Sequence, residues 1–340
     1  MYIPKSPFIV CFNITSQCNL NCSHCVSEAK QQGSSISIEK TISVINEANS
    51  MGVNMLVLGG GEPLLHNNFF GICEYILSTG MKLSFVTNGT LVSNYKNEFA
   101  RIVKYKNSLY VGISLDGHTP ELHGYFRPKE TFWPAVEAIE LLTYFGIKVY
   151  VLCVLNKSNI NIIREYLEFL SKYNIFSVRI IPLMPKGRAK KYVNEMLSPH
   201  EIYSFIDNIL DLSDTLKINV GLHYPWEFLF IPLEKRQPSP CEAGYLRLWI
   251  NSSGDIFPCS YMEDIPIGNI YCDSISDVWN NSPMLKALRN PKLLKGTCCN
   301  CQYRDYCRGG CRGLAYFLEG DYLCSDPYCP IVVKNKNLQT

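Results

Sequence analysis

The chain has 340 residues, 47% of them hydrophobic and 18% charged, and its formal net charge is +2. Its sixteen cysteines are not the disulfide framework of a small secreted protein, because a chain of this length and apolar content can build a conventional core without them. The balanced charge excludes an extended nucleic-acid footprint, no apolar run approaches the length of a membrane span, and residues 1–7 do not form a signal peptide. We therefore expect a cytoplasmic protein without nucleic-acid or membrane partners, whose cysteines bind metal.

Strand and helix patterns alternate along residues 8–182, which predicts an α/β fold. The predicted strands lie at residues 8–13, 53–58, 82–87, 110–115, 147–155 and 177–182. The predicted helices lie at residues 38–48, 67–79, 92–104, 132–145 and 159–172. Successive βα units form a parallel sheet with right-handed crossovers. Because six strands are too few for an eight-stranded barrel, we expect an open, partial (β/α)6 barrel.

A change of composition marks the end of this alternating region. Residues 182–199 are rich in proline, lysine and glycine, as in a linker, and we expect their basic segment at 186–191 to be a solvated loop or an anion contact. Ser198 and Glu201 then form a capping box that begins a new helix. The predicted domains are a core at 1–190, a linker and helical bridge at 191–236, and a small, loop-rich, cysteine-rich domain at 237–340.

Three cysteines in one short segment, Cys18, Cys22 and Cys25, have the spacing C-x3-C-x2-C. Three thiolates can hold three irons of a four-iron cluster and leave the fourth iron open, whereas an electron-carrying cluster takes four ligands. A zinc knuckle is the alternative, but zinc sites pair two such halves and no second half lies nearby. The segment resembles the signature of the radical S-adenosylmethionine (SAM) enzymes. That resemblance implies a 4Fe–4S cluster whose open iron binds the amino and carboxylate groups of SAM, reductive cleavage of SAM to a 5′-deoxyadenosyl radical, and packing of His24 beside the adenine.

Residues 59–63 read Gly-Gly-Gly-Glu-Pro and follow the second predicted strand, where catalytic loops lie in such folds. Glycine lets the backbone approach a ligand closely, and a carboxylate can accept hydrogen bonds from an ammonium group. An ordinary tight turn is the alternative. The segment resembles the GGEP element of the radical SAM family, which implies that Gly60, Gly61, Glu62 and Pro63 bind the amino group of the SAM methionine.

The next two predicted strands also end in polar residues. Thr87 and Asn88 follow the third strand, and Ser114 and Asp116 follow the fourth. They resemble family elements around the ribose and carboxylate of SAM, with Ser114 the expected direct contact. Arg127 matches the place where many relatives carry an arginine for the SAM carboxylate, a group that a guanidinium fork binds bidentately. The alternatives are a surface salt bridge for Arg127 and a turn cap for Asp116.

The C-terminal third contains a second, denser set of cysteines. Their spacing over residues 241–330 resembles the seven-cysteine pattern of the SPASM domain, which holds one or two auxiliary 4Fe–4S clusters in radical SAM enzymes. A zinc ribbon is the alternative. The resemblance assigns the first auxiliary cluster to Cys241, Cys259 and Cys311. It assigns the second auxiliary cluster to Cys298, Cys301, Cys307 and Cys329.

The first auxiliary cluster lacks a fourth cysteine in the linear pattern. Cys272 can fold back to fill this position, or the position stays open for substrate or takes a ligand other than cysteine. Cys324 competes with Cys329, whose Asp-Pro-Tyr-Cys-Pro context is typical of the last SPASM ligand, and Cys299 has no assigned role. The remaining cysteines lie in apolar segments and are interpreted as small core residues: Cys11, Cys73 and Cys153.

The implied activity is that of a radical SAM oxidoreductase or maturase that abstracts hydrogen from a substrate, with a reductant such as ferredoxin or flavodoxin as partner. Our leading hypothesis is modification of a short ribosomally made peptide by oxidation, decarboxylation or cross-linking. Because only seventeen residues precede Cys18, we expect any leader peptide to need a separate binding protein. Decarboxylation or removal of tetrapyrrole side chains in the haem pathway is the second hypothesis. A non-catalytic iron–sulfur electron carrier is the third.

Overall fold

A largely parallel sheet organises the fold. The computed structural model describes residues 4–231 and 240–337. The strands in these ranges are β1 (Ile9–Thr15), β2 (Met55–Gly60), β3 (Lys82–Thr87), β4 (Leu109–Ser114), β5 (Lys148–Leu155), β6 (Ser177–Pro182), β7 (Val220–Leu222), β8 (Arg247–Ile250), β9 (Asp255–Phe257) and β10 (Gly268–Asn269). Their order in the sheet is β10-β9-β8-β1-β2-β3-β4-β5-β6-β7. Neighbours from β8 to β7 are parallel, and β9 and β10 pair antiparallel at one edge.

Helices connect successive strands and cover one face of the sheet. They are α1 (Ile38–Ser50), α2 (Phe69–Ser78), α3 (Lys96–Ile102), α4 (Pro120–His123), α5 (Phe132–Tyr144), α6 (Ile163–Leu170) and α7 (Pro199–Leu216). Alternate apolar side chains of the strands, such as Val10 and Phe12 of β1, pack with these helices in one large core. The other face of each strand therefore lines the interior of the partial barrel.

The expected α/β fold with a partial barrel is confirmed, and the structure extends it by two parallel strands. β7 lies in the segment predicted to be a linker and helical bridge, and β8 of the C-terminal region pairs with β1. The sheet therefore crosses both predicted domain boundaries, which stay predictions. β7 was missed because three residues are too few to show an alternating pattern.

The C-terminal region is loop-rich, as expected, and its helices are short. They are α8 (Ile275–Asn281), α9 (Pro283–Leu288), α10 (Arg304–Cys307), α11 (Arg312–Glu319) and α12 (Pro330–Asn337). In the described part of the chain, no helix has the length and apolar content needed to cross a membrane. The fully buried Trp279 of α8 donates a hydrogen bond from its indole to Pro4 O (3.1 Å). This contact fastens the C-terminal region to the segment that leads into β1.

Candidate cluster and cofactor sites

The first candidate site lies at the carboxyl ends of β1 to β4, which we call the SAM edge. The segment after β1, residues 16–30, is named the cysteine loop because it carries Cys18, Cys22 and Cys25. Cys18 and Cys22 are buried, and Cys25 is half-buried. Burial raises the pKa of the Cys18 thiol to about 11, and the Cys22 and Cys25 thiols contribute to this shift. The three thiols therefore lie within electrostatic range of one another.

The three thiols of the cysteine loop fit an iron–sulfur cluster better than a single ion. Within the described ranges, no three His, Cys, Asp or Glu side chains converge closely enough to hold one metal ion. The thiolates of a four-iron cluster bind different irons, so they need not converge on one point. Leu20 N–H donates to Cys18 Sγ (3.4 Å), and such a donor favours the thiolate that metal binding requires.

The glycine-rich loop after β2 packs directly against the cysteine loop. Gly61 N–H donates to Thr15 O (2.9 Å), and Glu62 N–H donates to Gln17 O (2.8 Å). Gly60 has a φ of +131°. A Cβ on Gly60 would collide with the backbone of Thr15, and one on Gly61 with the backbone of Gln17. Glycine is therefore needed at both positions for the two loops to pair.

The Glu62 carboxylate is fully buried and already hydrogen-bonded within the chain. Its Oε1 accepts from Thr87 Oγ1 (2.7 Å) and from Leu64 N–H (3.2 Å), and its Oε2 accepts from Asn88 N–H (2.8 Å). A short 3-10 turn begins at Pro63, and its second residue, Leu64, supplies one of these N–H donors. Burial raises the pKa of Glu62 to about 7, although the three donors oppose that shift. Glu62 thus joins the end of β2 to the end of β3, and its contact with the ammonium group of SAM stays a prediction.

A buried charge pair follows β4. Arg127 Nε donates to Asp116 Oδ2 at 2.6 Å, and the two side chains are only 12% and 2% exposed. Burial by itself would raise the pKa of Asp116, but Arg127 and then His24 hold that pKa below its usual value. Asp116 Oδ1 also accepts from the Val154 N–H of β5 (2.8 Å). The pair is therefore neither a surface salt bridge nor a turn cap, and it ties Arg127 to two adjacent strands.

The free end of the Arg127 guanidinium faces the cysteine loop. Nη1 lies 4.0 Å from Cys22 Sγ, and Nη2 lies 3.4 Å from His24 Nε2. His24 stacks on Phe126 with ring centroids 4.8 Å apart. Burial and then Arg127 lower the pKa of His24 to about 4, so this imidazole is neutral at pH 7. Ser114 is buried at the end of β4, on the same edge of the sheet.

One residue of this site was missed by the sequence analysis. Arg188, in the segment interpreted as a solvated loop, donates from Nε to Cys22 O (2.9 Å) and from Nη1 to Ala29 O (2.8 Å). Its backbone N–H donates to Cys25 O (3.0 Å). The solvated-loop interpretation is therefore wrong for Arg188, whose hydrogen bonds hold the cysteine loop in place. The available signal was its position just beyond the end of a predicted strand, where the other site residues also lie.

The first set of C-terminal cysteines is also grouped in space. Burial raises the pKa of Cys259 to about 12, and Cys241 is the neighbour that contributes most to this increase. Burial also raises the pKa of Cys311, and Cys241 and Cys259 are among the neighbours that raise it further. Cys241, Cys259 and Cys311 therefore lie within electrostatic range of one another.

The second set of C-terminal cysteines lines an internal cavity. Cys298, Cys301, Cys307 and Cys329 all contribute to its wall. Aromatic residues, including Trp226, form another part of the wall. Four thiols around a space with apolar walls fit a fully ligated, water-excluded cluster.

A buried carboxylate, Asp326, lies between the two sets of cysteines. Its Oδ2 accepts from Cys311 N–H (2.7 Å) and from Trp226 Nε1 (3.0 Å). Its Oδ1 accepts from Tyr328 N–H (2.9 Å), and Tyr328 immediately precedes Cys329. Asp326 therefore positions one ligand segment of each auxiliary site.

Of the cysteines of uncertain role, Cys299 is next to Cys298 in the chain and Cys324 lines a second pocket together with Cys301. Cys272 is exposed, and among the described residues it is not one of the principal influences on Cys259 or Cys311. The carbonyl groups of Cys324 and Cys299 accept hydrogen bonds from arginines, each at 2.7 Å. Both cysteines thus have backbone contacts that are independent of any cluster.

Two family models match the chain where its cysteines are concentrated. The model described as the radical SAM superfamily matches residues 12–170. The SPASM model, described as an iron–sulfur cluster-binding domain, matches residues 241–308. The chain belongs to the radical SAM superfamily and carries a C-terminal SPASM domain. Its cofactors are therefore 4Fe–4S clusters and SAM.

Named relatives align with nearly the whole chain. The AdoMet-dependent heme synthase of Methanosarcina barkeri is 27% identical, over 96% of this chain and 97% of that protein. The Fe-coproporphyrin III synthase of the same organism is 29% identical, over 96% of this chain and 88% of that protein. The mycofactocin maturase MftC of Mycolicibacterium smegmatis is 27% identical, over 95% and 83%. The chain is thus similar to proteins named for two different kinds of substrate.

Solved structures share the fold. Streptococcus suis SuiB bound to S-adenosylmethionine superposes with a TM-score of 0.77 at 19% identity, over 96% of this chain and 78% of that one. The enzyme anSMEcpe with bound AdoMet superposes with a TM-score of 0.72 at 20% identity, over 96% and 95%. At these identities the comparison establishes the architecture, including the C-terminal extension.

Proposed function

We propose that this protein is a radical SAM maturase that reductively cleaves SAM and abstracts a hydrogen atom from its substrate. The observation that carries the proposal is the SAM edge itself. Three thiols that leave one iron of a cluster open lie beside the glycine-rich loop and the buried Asp116–Arg127 pair. A cluster with four protein ligands and no cofactor, as in an electron carrier, would need none of these neighbours.

Each group at the SAM edge has a definite task in this proposal. Cys18, Cys22 and Cys25 hold the cluster, which supplies the electron that cleaves SAM. Arg127 uses Nε to hold Asp116 and keeps its two Nη groups directed toward the cysteine loop, so its fork is prepared for the SAM carboxylate. Asp116 fixes the orientation of that fork. The glycine-rich loop binds the amino group of SAM through Gly60, Gly61, Glu62 and Pro63, as the GGEP resemblance implies.

The auxiliary sites divide into a closed one and an open one. Cys298, Cys301, Cys307 and Cys329 hold a second cluster with four ligands inside their cavity, and Cys329 is preferred over Cys324 because only Cys329 lines that cavity. Cys241, Cys259 and Cys311 hold a cluster whose fourth ligand is not Cys272, given the exposure of Cys272. This fourth position is free for substrate or for a ligand other than cysteine. The exposure of Cys272 and the place of Cys329 in the cavity wall support these assignments.

The preferred substrate class is a short ribosomally made peptide. The similarity to mycofactocin maturases supports it, and the proposal includes a reductant such as ferredoxin or flavodoxin and a separate protein that binds the leader peptide. A haem-pathway tetrapyrrole is the second candidate. It is favoured by the heme synthase of M. barkeri, which matches this chain over 97% of its own length. The expected cytoplasmic location stays a prediction.

The test begins with SAM alone. Anaerobically reconstituted protein is mixed with dithionite and SAM, and 5′-deoxyadenosine is quantified. Wild-type protein should produce it, and a Cys22→Ala variant should not. Synthetic copies of short peptides encoded beside the gene are then added in one assay, and iron-coproporphyrin III is added in another. The mass of each added compound is followed. Absence of 5′-deoxyadenosine with wild-type protein would refute the activity, whereas modification of the porphyrin but no peptide would select the second candidate.

A further inference from the structure

Two arginines face the interior of the barrel, below the SAM edge. Arg179 lies on β6, and Arg247 begins β8 on the far side of β1. Both arginines oppose the burial that raises the pKa of Cys11 of β1 and of Tyr150 of β5. On each of these four strands the residue that follows Cys11, Tyr150, Arg179 or Arg247 belongs to the apolar core, so these four side chains lie on the opposite, interior face. The two guanidinium groups therefore border one common recess.

The side chains of this recess are polar, although they lie on core strands. Cys11 and Tyr150 are buried, yet in the described chain neither belongs to the apolar core that the other face of β1 and β5 forms with the helices. Tyr150 Oη hydrogen-bonds Ser84 Oγ (2.9 Å), and Arg247 Nη1 lies 3.6 Å from Cys11 Sγ. Cys11 is buried as expected, but its neighbour is a cation rather than the apolar core.

The recess carries more positive than negative charge. Glu242 pairs with Arg247 Nη2, and Arg247 Nε is buried with no hydrogen-bond partner among the described atoms. Arg179 stacks on the Tyr150 ring with its guanidinium carbon 4.5 Å from the ring centroid. No described group forms a hydrogen bond or an ion pair with that guanidinium. The half-buried Arg179 guanidinium is therefore available to an anionic ligand, which its fork can bind through two N–H donors.

The recess is open to a ligand. Arg179 and Arg247 are both only half-buried, so water reaches the two guanidinium groups. Arg247 pairs with Glu242, the residue next to Cys241 in the chain, so the recess adjoins the first auxiliary site.

We infer that Arg179 and Arg247 form a carboxylate-binding subsite inside the barrel, where they anchor the substrate between the SAM edge and the first auxiliary site. The inference rests on the proposed function and deepens it, because it requires a substrate that carries a carboxylate. Arg179 is three residues from the end of β6, which is about 10 Å along the strand at ~3.3 Å per residue. A carboxylate held there leaves room for the reacting carbon below SAM. Planar, bidentate binding of a carboxylate is the contact for which a guanidinium is best suited.

Binding to reconstituted holoprotein tests this inference with two pairs of probes. One pair is iron-coproporphyrin III and its fully esterified form, and the other is a synthetic peptide encoded beside the gene, as the free acid and as the C-terminal amide. We expect wild-type protein to bind one free acid more tightly than its blocked partner. The pair that shows the preference identifies whether the carboxylate belongs to a tetrapyrrole or to a peptide.

The variants Arg179→Gln, Arg179→Lys and Arg164→Gln then locate the effect. Arg179→Gln should bind the preferred acid at least about 30-fold more weakly, the lower end expected when one partner of a buried charge pair is truncated, and should lose the preference over the blocked probe. Arg179→Lys should retain part of it. Arg164→Gln, an exposed arginine of α6, is the matched control and should bind like wild type. Iron content and circular dichroism establish that each variant is folded.

Two results would overturn the inference. One is wild-type protein that binds neither free acid more tightly than its blocked form, and the other is Arg179→Gln that binds the acid as wild type does. Neither result bears on SAM cleavage, which is measured as 5′-deoxyadenosine from wild-type protein without substrate. Loss of that product in wild type would instead refute the proposed function.

Discussion

Replacing Glu62 tests whether this residue has a structural role or only binds SAM. In Glu62→Ala, two buried backbone N–H groups, those of Leu64 and Asn88, lose their acceptor. The Thr87 hydroxyl also loses its acceptor, but it can rotate toward a different acceptor. A buried donor left unsatisfied costs about 1–3 kcal/mol, so we expect a loss of about 2–6 kcal/mol in the free energy of unfolding. Glu62→Gln retains one acceptor oxygen and turns an amide N–H toward a donor, so its loss should be intermediate.

Thermal unfolding of the reconstituted protein under anaerobic conditions measures this loss. Glu62→Ala should lower Tm by on the order of 4 °C or more, and SAM affinity should fall with it because the ends of β2 and β3 separate. Iron content should stay at the wild-type value, since no cysteine of the cluster is bonded to this carboxylate. The matched control is Glu74→Ala, whose partially exposed ion pair with Arg101 is worth at most about 1 kcal/mol. Equal Tm values for the Glu62 and Glu74 variants would refute the structural role.

Three further predictions concern the clusters and SAM. A Cys18/Cys22/Cys25→Ala triple variant should lose about a third of the iron if all three proposed clusters form, as measured by iron and sulfide analysis, and a complete loss would contradict independent auxiliary sites. Arg127→Ala should weaken SAM binding by about 2–5 kcal/mol at unchanged iron content, as followed by calorimetric titration. A parallel fall in iron would show that Arg127 is needed for the cluster loop instead. Cys272→Ser should retain the wild-type cluster spectrum and turnover, and loss of a cluster signal would make Cys272 the fourth ligand.

Local signals in the chain were sufficient for the fold and for the family. Alternation of strand and helix patterns predicted the parallel sheet, because apolar periodicity reports directly which face of each element is buried. The glycines of residues 59–63 could also be interpreted from the sequence alone, since only glycine allows the close backbone contact between the glycine-rich loop and the cysteine loop. The exact partners were not predictable. Glu62 was expected to accept an ammonium group, whereas its oxygens accept from β3 and from its own loop.

What only the tertiary structure decided is how distant segments meet. Arg188 lies far along the chain from Cys22, yet it donates to the Cys22 carbonyl, and no spacing rule connects the two. The recess of Arg179 and Arg247 likewise exists because β8 pairs with β1 and the sheet curves around a common interior. By itself the sequence determined the elements, the cysteine sets and the family resemblance, since these depend on neighbours in the chain. Long-range pairing depends on the shape into which all elements pack together, and a linear pattern does not contain it.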